Sequence, residues 1–144
     1  MKVIQTNFFG DNNLGLFGKA SDEYCFIGNV MKKEIKKIEK SLKVKAVKIT
    51  IANTDLVGIF CAFNSNGIVV PRIINESELK KFKKVGLNVK VIKSKYTALG
   101  NLILCNDKGA LISKLFSKRE KKDIEDVLGV ETEFGTVANI KTVG

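Results

Sequence analysis

Four glycines recur along this chain of 144 residues at nearly constant intervals: Gly15, Gly58, Gly100 and Gly144, separated by 43, 42 and 44 residues. A period of about 20–50 residues marks a small supersecondary unit repeated in an array, each copy covering the hydrophobic face of its neighbour. That regularity constrains the fold more than any local pattern does.

Within each unit the order of signals is the same. An apolar run of strand length (residues 56–63 and 99–105) ends in a polar turn, which carries Asn66-Gly67 in the second unit and Lys108-Gly109 in the third. Glycine there is expected to supply the positive φ of a tight hairpin. The first unit has Tyr24 at this place and needs another turn. A second apolar run follows (residues 68–74 and 110–112). These runs are continuous rather than alternating, as expected of strands covered on both faces.

A helix comes next. Met31, Ile35, Ile38 and Leu42 form one apolar stripe, with Lys32, Lys33, Lys36, Lys37 and Lys40 on the opposite side. Asn75 with Glu78, and Ser117 with Glu120, are capping-box starts, and Gly86 and Gly129 are stops. A closing strand is expected over 44–52, 89–93 and 130–137. Residues 3–5 resemble 91–93, so the chain is expected to open on the closing strand of a preceding unit. Such an offset lets a ring of units close without a free edge. The reading is a single repeat domain over 1–144, with α/β units at about 12–53, 54–96 and 97–141 and the start of a fourth at 142–144.

Composition narrows the chemistry. There is no histidine, which removes imidazole acid–base catalysis and the Ser–His and Cys–His nucleophile pairs. Cys25, Cys61 and Cys105 all lie in apolar segments and read as small buried hydrophobes, too few and too scattered for a cysteine-only zinc site. No cofactor is implied. The run from Gly15 to Lys19 lacks the G-x-x-x-x-G-K-[ST] spacing of a phosphate loop, and the repeat already accounts for Gly15. The longest apolar run, residues 57–63, is far short of the ~20 residues that span a bilayer. No apolar leader follows Lys2, and the expectation is a cytoplasmic protein with no membrane association. Twenty-five basic against 15 acidic residues give a net charge of +10. That balance suits an RNA partner, and equally suits lysines that only solvate helices.

The segment IKSKYTALGNLILCNDKGALIS (residues 92–113), the following KKDIEDVLGVETEFGTVANIKTVG, and the pattern LVG…NSNGIVVPRII…ESEL in the second unit are similar to the archaeal translation initiation factor 6 family. The resemblance covers essentially the whole chain and is strongest from Val57 onward. It implies a pentein fold, an α/β propeller of five ββαβ units, of which this chain holds three. It also implies a non-enzymatic factor that binds the large ribosomal subunit, on a ribosomal protein and neighbouring rRNA. There the factor keeps the small subunit from joining and takes part in large-subunit biogenesis. The enzymatic branch of the fold uses Cys with His, and histidine is absent here. Three units instead of five imply a truncated product, a split protein completed by a second polypeptide, or an arc that self-associates.

A factor of that kind needs a rigid docking face. Repeat symmetry places the starts of the glycine blocks, Asn13-Leu14, Asp55-Leu56 and Leu99 to Asn101, at one end. Asn101 is the leading single candidate, being polar where the other units have Leu16 and Ile59; a local backbone hydrogen bond is the competing reading. Lys93, Lys95 and Tyr96 precede it and suit RNA or an acidic partner. Arg72, after the only proline, is contact residue or structural. The alternative function is a basic rRNA-binding module without anti-association activity; DNA is not an expected partner.

Overall fold

The computed structural model describes residues 3–30 and 32–144; Met31, the first member of the apolar stripe, lies outside them. In chain order it contains α1 (Leu14–Phe17), β1 (Gly18–Ala20), β2 (Tyr24–Ile27), α2 (Lys32–Leu42) and β3 (Lys45–Lys48). Then come α3 (Val57–Phe60), β4 (Ala62–Phe63), β5 (Gly67–Pro71), α4 (Glu76–Lys83) and β6 (Asn88–Ile92). The last set is α5 (Leu99–Leu102), β7 (Ile103–Cys105), β8 (Ala110–Ser113), α6 (Lys118–Leu128) and β9 (Thr132–Gly135). Among the described residues the strands form three separate sheets, β1-β2-β3, β4-β5-β6 and β7-β8-β9. In each, an antiparallel hairpin is followed by a helix and a third strand parallel to the second. This is a mixed α/β architecture.

The helix starts behave as their sequence dictates. Ser117 caps α6, its hydroxyl accepting from Glu120 N–H at 3.2 Å while the Glu120 carboxylate accepts from Ser117 N–H at 2.6 Å. At α4 the Glu78 carboxylate accepts from Asn75 N–H at 3.0 Å. Gly129 ends α6 in the left-handed conformation, φ 63°. The α4 helix stops at Lys83, short of Gly86, whose φ is 93°.

Three expectations are corrected. The strands expected over 56–63 and 99–105 are divided, the first half of each forming the one-turn helix α3 or α5. The cause is the glycine period. An ideal Cβ on Gly58 would overlap the carbonyl oxygen of Gly15, one on Gly100 that of Gly58, and one on Gly144 that of Gly100. The one-turn helices therefore pack backbone to backbone, α1 on α3 and α3 on α5, while satisfying their own amides locally, as Ile59 and Asn101 N–H do on Leu56 and Ala98 at 3.1 Å.

The hairpin glycines do not serve φ either, since neither Gly67 nor Gly109 has a positive value. The turns are shaped by side chains. Asn64 Oδ1 accepts from the N–H groups of Asn66 and Gly67 at 3.0 and 3.1 Å, and Asn106 Oδ1 from those of Lys108 and Gly109 at 2.8 and 3.1 Å. Ser21 does the same for Glu23 and Tyr24 through its hydroxyl, so Tyr24 is accommodated. Gly67 answers a different demand, because a Cβ there would overlap Val127 O of the neighbouring α6. Lastly, residues 3–7 join no sheet; with no strand partner among the described residues, they are tied instead to α2 through a hydrogen bond from Thr6 to Glu34.

The core lies between units as much as within them. Phe26 of the first sheet meets Phe63 edge-on at 4.7 Å and Phe82 of α4 at 5.2 Å. Ile124, Val127 and Leu128 of α6 are buried with Val69 and Ile92 of the second sheet. The third sheet has no such cover among the described residues, and Leu104 is 51% exposed on it.

Candidate functional site

The segments that follow β3, β6 and β9 recur in series along the chain. Two of them, with the N-terminal segment, make tight turns in which a left-handed pair lies between bridged residues. These pairs are Phe9 and Gly10 between Phe8 and Asp11, Ala52 and Asn53 between Ile51 and Thr54, and Ala138 and Asn139 between Val137 and Ile140. Positive φ at Phe9, Ala52 and Ala138 is unusual for residues with a Cβ. The connection in the middle, from Lys93 to Tyr96, instead uses the Ser94 hydroxyl, which accepts from Tyr96 N–H at 3.2 Å.

The glutamate at the third position of α4 holds the first of these connections. Glu78 is 2% exposed, and its carboxylate accepts from the Thr50 hydroxyl at 2.7 Å and from the N–H groups of Ala52 and Asn53 at 2.9 Å. Burial pushes its carboxyl upward, but the hydrogen bonds from Asn75, Thr50, Asn53 and Ala52 outweigh that and hold it below the usual carboxylate range. Glu120 is likewise pushed up by burial and brought lower overall by the Ser94 hydroxyl, Ser117 and the nearby charge of Lys95.

Beside each junction lies a groove. One of about 470 Å³ is lined by Asn29, Lys48, Thr50, Asn53, Asp55 and Lys81. The other, about 520 Å³, is lined by Lys90, Lys93, Ser117, Arg119, Glu120 and Asp123, with Lys90 Nζ 3.0 Å from Asp123. Three cations against two carboxylates make this second groove basic, and it opens beside Lys95.

The residues singled out from the sequence fall into two groups. Asn13, Arg72, Lys93 and Lys95 are exposed. Lys95 Nζ lies 5.1 Å from the Tyr96 ring centre, while the ring meets Phe116 edge-on at 6.5 Å, so Tyr96 is partly a core residue. The other group is engaged in structure. Leu99 is fully buried, so its side chain presents nothing to a partner, and Leu14 packs on the core of the first unit. Asp55 accepts from Asn29 N–H at 2.8 Å, and Leu56 precedes α3 as its cap residue. Asn101 is half-buried, and its backbone oxygen accepts from Val143 and Gly144 at 2.9 and 3.1 Å. These bonds use the main chain of Asn101 and leave its side chain uncommitted to them. Lys48, Lys81, Lys90 and Arg119 were not distinguishable in the sequence from lysines that solvate helices; only the packing of one unit on the next gathers them.

The three cysteine thiols are not activated. Burial pushes the Cys61 thiol up to about 12 and those of Cys25 and Cys105 up to about 11, opposite to an activated nucleophile. Lys19 donates to Gly100 O at 2.7 Å, and burial lowers its pKa; it ties the first unit to the third. Among the described residues no group of three or more His, Cys, Asp or Glu is placed to hold a metal, and no helix is long and apolar enough to cross a membrane.

Residues 3–144 match the model of the eIF-6 family. The translation initiation factor 6 of Pyrococcus furiosus is 42% identical over 151 aligned positions, covering 100% of this chain and 66% of that protein. That of Methanocaldococcus jannaschii is 40% identical, covering 99% and 65%. The chain thus spans about 65–66% of the length of these relatives. A solved dimethylarginine dimethylaminohydrolase adduct with S-methyl-L-thiocitrulline aligns with a TM-score of 0.50 at 13% identity, covering 83% of this chain and 47% of that one. This last is a likeness of fold alone.

Proposed function

The chain belongs to the eIF-6 family, and from that premise we propose that it is a translation factor that docks on the large ribosomal subunit and obstructs the small one. The family match over residues 3–144 carries this reading. The three sheets act as consecutive blades of a pentein-type arc, and the end bearing the turns at 8–11, 51–54 and 137–140 faces the ribosome. Rigidity supports that role, since each turn is pinned by bonds within the chain rather than left to fold on contact. The basic groove of Lys90, Lys93 and Arg119, with Lys95 beside it, would meet rRNA phosphates. Asn13 and Arg72 extend the contact. The mechanism is steric, with charge accelerating the encounter.

Sedimentation of purified subunits tests it. At saturating factor, the fraction of joined ribosomes should fall, and Lys93→Glu with Arg119→Glu should restore it. Unchanged joining with factor bound to the large subunit would leave the second reading, a basic rRNA-binding module. That reading is favoured by the groove alone and predicts steep loss of naked-rRNA binding with salt.

A further inference from the structure

Among the described residues Phe9 is the one aromatic ring left in the open, 70% exposed at the tip of the turn between Phe8 and Asp11. Its backbone is left-handed, φ 54°, a conformation that a bulky residue rarely adopts and that glycine or asparagine adopts at less cost. The two repeat-equivalent turns place Ala52 and Ala138 here, at φ 53° and 50°. A small residue therefore serves the turn itself, and the ring is an addition that the turn does not need. A single exposed apolar residue is ordinary. One held in a disfavoured conformation on a pinned turn points to use.

The turn is rigid beneath the ring. Phe8 N–H donates to Asp11 O at 3.0 Å and Asp11 N–H to Phe8 O at 2.9 Å. Gly10 N–H donates to Asn7 Oδ1 at 3.0 Å, and Asp11 Oδ1 accepts from Asn13 N–H at 2.8 Å. The Phe8 ring is buried and meets Phe17 edge-on at 6.0 Å. Adjacent residues thus divide the work: Phe8 fixes the turn to the core of the first unit, and Phe9 projects from it. A unit beside such a turn does not absorb the ring. Ala52 has one unit before it and one after, yet it is only half-buried, so a benzyl group at that position reaches beyond its neighbours.

The charge of the surroundings selects the partner. Between Lys2 and Lys19 the only charged residue is Asp11, in a chain of net charge +10. Aromatic platforms that stack nucleobases are built into cationic tracks, and the cationic groove lies elsewhere, at Lys90, Lys93 and Arg119. A rigid ring on a preformed turn, with no cation in its segment, fits an uncharged apolar pocket of a protein. We propose that Phe9 is the apolar anchor of the docking face, its ring inserted into a concave apolar pocket on a protein component of the large subunit. The inference rests on the reading that this end of the chain meets that subunit.

Co-sedimentation of the intact chain with purified large subunits tests it. Phe9→Ala should weaken binding about thirtyfold or more, the loss typical of a central contact residue, and Phe9→Leu should recover part of it. Phe9→Gly should bind as poorly as Phe9→Ala while melting no lower than the parent, because glycine relieves the left-handed strain; that separates recognition from folding. With p-benzoylphenylalanine in place of Phe9, irradiation on the subunit should attach the chain to protein and not to rRNA. Equal affinity of Phe9→Ala and the parent overturns the proposal and leaves the ribosomal reading standing, as does attachment to rRNA. A parent chain that does not sediment with the subunit overturns both.

Discussion

The glycine period makes a prediction in which one substitution has opposite signs at repeat-equivalent positions. Gly15 and Gly58 both sit second in a one-turn helix, yet a Cβ on Gly15 meets nothing within 4 Å. A Cβ on Gly58 would overlap Gly15 O and also lie 3.1 Å from Gly18 O. Both obstacles are backbone, so no rotamer relieves them, and α1 must move off α3 until ordinary separations of about 3.5 Å return. That shift opens the packing of the first unit on the second around Phe26, Phe63 and Phe82. Overpacking of a well-fitted contact costs typically 1–3 kcal/mol, and rigid obstacles place this case at or above the upper end. Against it stands the gain of about 0.4–1 kcal/mol from restricting the unfolded chain when glycine becomes alanine without strain. Gly15→Ala should therefore be neutral or slightly stabilising, while Gly58→Ala loses about 2–3 kcal/mol or more, a fall in melting temperature of several degrees. Urea and thermal unfolding followed by far-UV circular dichroism measure both. Equal losses in the two variants would refute the reasoning, because they would tie the glycines to the geometry of the helical turn rather than to the close approach of units.

Asn64→Ala should cost about 2 kcal/mol by urea unfolding, because the buried amide also donates to Asn106 O and Leu128 O at 3.1 and 2.8 Å, and of these Leu128 O keeps only the donor Asn66 Nδ2 at 3.0 Å. Asn106→Ala, exposed and bonded only to its own turn, should cost less than half as much. Glu78→Gln should lower stability at pH 7 by about 1–3 kcal/mol and flatten the acid limb. The folded carboxyl lies below its ordinary 4.5, so its contribution is full above that value and is lost as pH falls through the folded pKa; urea midpoints between pH 3 and 6 in the two proteins report the difference. The three thiols should react slowly with iodoacetamide at pH 8 in the folded chain and at once in urea. Their folded pKa values of about 11–12 lie above the ordinary 9.0, so the stability they contribute is full below pH 9 and declines as pH rises through 11 to 12.

What the sequence discloses and what it hides divide along the range of the interactions. Ser117 and Glu120 are three residues apart and decide a helix start between themselves, as Asn75 and Glu78 do, so these signals are visible in a linear string. The one-turn helices α3 and α5 are not. Each is preceded by Leu56 or Ala98, neither of which caps, and a short apolar run has no period long enough to separate helix from strand. Their form follows from backbone packing across an interval of 42 or 43 residues. The same distance hides the second role of Glu78. Its bond to Asn75 is local, but those to Thr50, Ala52 and Asn53 reach 25 to 28 residues back into the previous unit. A capping glutamate in this chain therefore closes its own helix and shapes the turn of its neighbour with one carboxylate. The site residues follow suit: Leu99 and Asp55, conspicuous in the sequence, are absorbed by packing and backbone bonds, while Lys90 and Arg119 gain meaning only where α6 lies on β6. In an array, position along the period says which end of the unit a residue occupies. Whether that residue faces a partner or the next unit is decided by the neighbour, as the burial of Leu99 and the gathering of Lys90 and Arg119 show.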